Sequence, residues 1–104
     1  MSLKPVVRMA ELEIAPETLE SYRALLTEEI EAAVALEEGV LSLSAVSLRD
    51  NPNRIRILEV YATQEAYEAH LRTPHFLKYK SGTADMVTSL RLIDVDPIIM
   101  RAKS

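Results

Sequence analysis

The sequence predicts an α+β, ferredoxin-like domain in the order β-α-β-β-α-β, with helices on one face of a four-stranded antiparallel sheet. Three observations carry this. Segments of two-residue period bracket stretches of helical period. Turn residues fall between them. A length of 104 residues, 48% of them hydrophobic, suits a single domain over 1–104, with 1–5 and 98–104 as terminal extensions.

The first strand runs from Val6 to Ile14. Val7, Met9, Glu11 and Glu13 share one face; Val6, Arg8, Ala10, Leu12 and Ile14 share the other. Pro16 suits a first helical turn, where its missing N–H costs nothing. Glu17 and Glu20 complement the helix dipole. Leu19, Tyr22, Leu26, Ile30 and Ala33 follow helical spacing, and Leu25 and Val34 widen the stripe. This helix is expected over Pro16 to Glu37, with Gly39 as its stop. Glu28, Glu29, Glu31, Glu37 and Glu38 read as a solvated face.

Val40 to Leu48 is the second strand. Arg49-Asp50-Asn51-Pro52-Asn53 is turn chemistry, and Arg54 to Tyr61 completes a hairpin. Thr63 can cap a short helix reaching Leu71. Thr73-Pro74 repeats that grammar, so the helix stops and restarts. The second piece carries Phe76, Tyr79, Lys80, Thr83 and Val87 on one stripe. Ser89 to Asp96 is the last strand, and Pro97 ends it.

The hairpin strands do not alternate cleanly. Val40, Leu41, Leu43, Val46 and Leu48 occupy both faces of one; Ile55, Ile57, Leu58 and Val60 occupy both faces of the other. Helices cover one side only, so a second copy of the sheet is the simplest cover for the other. The apolar run Ile98-Ile99-Met100 agrees with such a homodimer.

A net charge of -4 argues against nucleic acid. No apolar run approaches the roughly 20 residues of a membrane span, and no signal-like apolar core opens the chain. A cytoplasmic location is the default. Without cysteine there is no disulfide, thiolate metal site or cysteine nucleophile. No phosphate-binding glycine loop is present. Two histidines five apart, with no carboxylate in helical register, make a poor metal site, so neither metal nor cofactor is expected.

The two histidines, His70 and His75, flank Leu71-Arg72-Thr73-Pro74. One would close a helix and the other open the next, in opposite dipole fields that could divide acid and base roles. The plainer reading is a helix cap and a surface side chain. Glu59 alternates with Ile55 and Ile57, and a lone buried carboxylate is costly. It would either orient His70 or form an intersheet ion pair with Arg54, Arg56 or an arginine of a partner subunit. Tyr22, Tyr67, Phe76 and Tyr79 would line a pocket or simply fill the core.

Glu38-Gly39-Val40-Leu41, Asp50-Asn51-Pro52-Asn53-Arg54, Leu58-Glu59-Val60-Tyr61 and Glu68 through Phe76 together resemble the antibiotic biosynthesis monooxygenase-like family. The resemblance spans roughly Val6 to Pro97 and implies a dimeric α+β barrel with a pocket inside each subunit. That family includes cofactor-independent quinol monooxygenases and autoinducer-2-degrading enzymes. By motif match His70 would be the pocket histidine, Glu59 the strand glutamate facing it, and Tyr61 a pocket aromatic. His75 and Phe76 match the second half of the motif. Haem-degrading relatives use a tryptophan, and this chain has none. The implied function is a cofactor-free monooxygenase on a small phenol or quinol, with His70 as base and Glu59 holding its ring. An isomerase or tautomerase on a small carbonyl compound, or a non-catalytic dimeric binding module, stays open.

Overall fold

Alternation along the first strand decides which side of the sheet receives the helices. In β1 (Val6–Ile14), the faces take opposite environments. Ala10, Leu12 and Ile14 are buried in one core with Ile55, Ile57, Tyr22 and Leu26. The computed structural model describes residues 4–103; 1–3 and 104, within the expected terminal extensions, lie outside the described residues. The other strands are β2 (Val40–Leu48), β3 (Asn51–Tyr61) and β4 (Val87–Val95). All neighbouring pairs are antiparallel, in the order β2-β3-β1-β4. Among the described residues three α-helices complete the fold: α1 (Leu19–Leu36), α2 (Gln64–His70) and α3 (Pro74–Thr83). This is the α+β ferredoxin-like arrangement the sequence pattern predicts.

Four local features differ from expectation. Pro16–Thr18 forms a 3-10 turn, and α1 proper starts at Leu19. The hairpin turn shrinks to Arg49-Asp50, so Pro52 lies inside β3. It is tolerated because β3 outruns β1 there: their pairing covers only Arg54 to Tyr61. Val87 belongs to β4, opposite Ile14, and not to a helical stripe. A turn in which Met86 N–H donates to Thr83 O and Ala15 N–H to Met86 O commits the chain to extended pairing. Finally, no residue among those described has positive φ, so Gly39 does not end α1 through a left-handed cap. Its role is proximity, since a Cβ there would run into the Ala66 side chain.

The outer face of the sheet divides in two. Register places Val7 between Val60 and Val95, and Met9 between Leu58 and Ile93. Farther along, Glu11 pairs with Arg56 (3.4 Å) and Glu13 with Arg54 (2.9 Å). Arg54 and Arg56 therefore point away from Glu59, which removes them as its partners. Leu41 and Val46 on the edge strand are exposed. No helix among the described residues is long and apolar enough to cross a membrane.

Candidate active site

Between the sheet and the helices lies a cavity of about 470 Å³. The break between α2 and α3 shapes one wall. Thr63 Oγ1 caps α2 by accepting from Ala66 N–H (3.0 Å). Thr73 Oγ1 caps α3 by accepting from Phe76 N–H (3.2 Å), and donates to the His70 carbonyl (2.9 Å). One hydroxyl thus ties the end of α2 to the start of α3. It holds His70, which is 3% exposed, and His75 with ring centroids 6.3 Å apart.

The partners of His70 come from α1 and from Glu37, the residue that caps its C-terminal end. His70 Nδ1 lies 2.9 Å from Glu37 Oε2, and His75 Nε2 lies 2.5 Å from the same oxygen. Both fit N–H donation to one carboxylate. On its other side, His70 Nε2 is 3.3 Å from Glu29 Oε1. That pair is within ion-pair range but misaligned for a hydrogen bond, and Oε1 has no other partner. Glu29 is 5% exposed and follows the buried register of Tyr22, Leu26 and Ala33. Burial raises its carboxyl above the ordinary range, while His70 and His75 pull it down. The expected solvated glutamate face thus loses two members to the interior. One donor atom each from Glu29, His70 and His75 cluster within 4.8 Å of one another. The carboxylates that the histidines' own helices do not offer in register are supplied across the fold.

Glu59 lines the cavity, but its hydrogen bond goes to Tyr61: the phenol donates to Oε1 at 2.8 Å. The ring of His70 is held by Glu37, not by Glu59 as expected. Burial raises the Glu59 carboxyl, opposed by the Tyr61 hydrogen bond and by the charges of His70 and Arg8. Tyr61 is pushed well above its ordinary value, first by burial and then by Glu59, so it stays a donor. The His70 ring sits between Tyr61 (5.4 Å) and Phe76 (5.0 Å).

Of the residues singled out from sequence, His70, Glu59, Tyr61, Tyr67, Phe76 and Tyr79 line the cavity. Tyr22 lies behind the wall, fully buried, its hydroxyl 2.7 Å from that of Tyr79. His75 does not line the cavity; its hydrogen bond goes to Glu37. Sequence reasoning missed Glu29, Glu37 and Arg8. Arg8 also lines the cavity; its Nη1 donates to the Tyr67 hydroxyl (2.9 Å) and its guanidinium lies 4.2 Å over that ring. The available signal was a charge in an apolar register: Arg8 with Ala10 and Leu12, and Glu29 with Leu26 and Ala33.

The sequence profile described as antibiotic biosynthesis monooxygenase matches residues 5–81. Among solved structures, a candidate antibiotic biosynthesis monooxygenase from Bacteroides thetaiotaomicron is 50% identical, with TM-score 0.93 over 97% of this chain and 96% of that one. A candidate monooxygenase from Lactobacillus acidophilus is 28% identical, with TM-score 0.85. The match covers 91% of this chain but 51% of that longer one. A family namesake from Nitrosomonas europaea, 18% identical at TM-score 0.86, attests the fold alone. No curated protein matches. With a profile match over most of its length, and a half-identical structure that superposes almost end to end, the chain belongs to the antibiotic biosynthesis monooxygenase family.

Proposed function

We propose that the protein is a cofactor-free monooxygenase acting on a small phenol or quinol, with His70 as general base. The observation that carries this reading is the setting of His70. The ring is buried at the cavity wall, and Glu37 accepts the Nδ1 proton. That tautomer leaves the Nε2 lone pair free to take a phenolic proton. The phenolate is the stronger electron donor and can reduce oxygen directly. For a phenol the balance is phenol plus O2 to quinone plus water: one oxygen atom enters the ring and the other leaves as water. All electrons come from the substrate. Tyr61 and the Glu59 carboxyl it contacts would bind the substrate's oxygens, and Tyr67 and Phe76 its ring.

A homodimer belongs to this reading. Leu90 and Leu92 lie on the helix side of β4, line the open edge of the cavity, and are 44% and 52% exposed. A second subunit would shield them along with Leu41 and Val46.

Oxygen uptake by chelator-treated protein with a panel of quinols tests the proposal. Wild type should consume oxygen, and His70→Ala should lose about 10²–10⁴-fold in kcat, the usual worth of a general base. Equal rates in the two proteins would refute it. Turnover under strict anaerobiosis would point instead to an isomerase.

A further inference from the structure

We propose that Glu29, His70 and His75 form a site for one divalent transition-metal ion, with Glu37 holding both imidazoles from outside the coordination shell. The inference starts from an anomaly. Glu29 Oε1 is buried without a hydrogen bond, although His70 Nε2 is only 3.3 Å away. An imidazole N–H serving as partner would point at the oxygen. Here the two atoms are close without being aligned.

Neighbouring ligands of one ion behave this way. With bonds of about 2.0–2.2 Å at tetrahedral angles, adjacent donors stand about 3.3–3.6 Å apart and aim at a common centre. The separation of Oε1 and Nε2 matches that edge. A donor of His75 belongs to the same cluster, within 4.8 Å of the others. Drawing it onto the ion is a small movement against the reach of a histidine side chain.

The surroundings fit the same assignment. Metal-binding histidines commonly give their second ring N–H to a carboxylate, which fixes the tautomer and strengthens the ligand. Glu37 contacts Nδ1 of His70 in this manner, and one nitrogen of His75 as well. Two imidazoles and one carboxylate suit zinc with a fourth position open to the cavity. The same donor set suits ferrous iron.

An ion on His70 Nε2 and a proton taken by that atom exclude each other. The two roles therefore compete for one atom, and zinc there would silence base-dependent turnover. Calorimetric titration of the stripped full chain tests it, with zinc chloride in one arm and anaerobic ferrous sulfate in the other. The expected result is one ion per chain in at least one arm. Glu29→Gln and His75→Gln should each weaken binding tenfold or more. Glu37→Gln should weaken it by about 10–100-fold, as loss of an outer carboxylate does. Circular dichroism checks that the variants fold; should His75→Gln not fold, the isosteric Glu29→Gln decides. Binding unchanged in Glu29→Gln overturns the proposal. So does a wild type that binds neither ion. Because the oxygen assay is run with chelator, its outcome and this one are separable.

Discussion

At the residue scale, burial holds the Glu59 carboxyl above the ordinary glutamate range. Folding therefore favours its protonated form. The stability gained is complete below the unfolded value and is lost as pH rises through the folded one. Above the folded value the ionised group is a cost. Glu59→Gln keeps an acceptor for the Tyr61 hydroxyl and removes that cost. It should melt a few degrees above wild type at pH 8, with the gap closing toward pH 4, in a thermal series. About 1 kcal/mol moves a domain of this size by about 4–8 °C. Gly39 makes a second prediction. Its alanine variant overpacks against Ala66 and should lose about 1–3 kcal/mol in denaturant titration. Ala66→Gly in the same chain should recover part of it, as coupled neighbours do. Glu59 was legible as a misfit among isoleucines. Glu29 was harder to see, because four nearby glutamates, Glu28, Glu31, Glu37 and Glu38, disguised the one that stands in the buried register. Glu37 was not legible, because its role depends on residues 33 and 38 positions downstream.

At the element scale, the junction of α2 and α3 depends on Thr73. Its hydroxyl both caps α3 and closes onto the last residue of α2. Thr73→Ala should cost about 0.5–2 kcal/mol, read as a lower denaturant midpoint. It should also loosen His70 and His75 relative to Glu37, seen as broadened histidine side-chain resonances. These helix starts were readable because capping is local: a hydroxyl and a proline suffice. The end of α3 was not. The apolar spacing of Val87 continues a helical stripe, and pairing with β1, which is far away in the chain and begins at the Ala15–Met86 contact, makes it a strand. The same holds for Pro52, whose place in β3 depends on where β1 stops.

At the scale of the whole molecule, topology followed from element order, because a split β-α-β unit leaves few ways to arrange four strands. The cavity was not readable, since its walls come from all four strands and all three helices. The proposed homodimer should appear in light scattering as twice the chain mass at micromolar concentration. Val46→Glu places a charge on the exposed edge strand, 59% accessible in the single subunit, and should shift the mass toward monomer. An unchanged mass would move the interface elsewhere. The two-residue turn Arg49-Asp50 has one more consequence. It is a seam that separates the polar cluster by origin: Glu29 and Glu37 precede it, and His70 and His75 follow. A chain cut there gives one fragment holding both acids and another holding both rings. Neither can build the cluster alone, so the return of the histidine signals on mixing would report reassembly of the two halves.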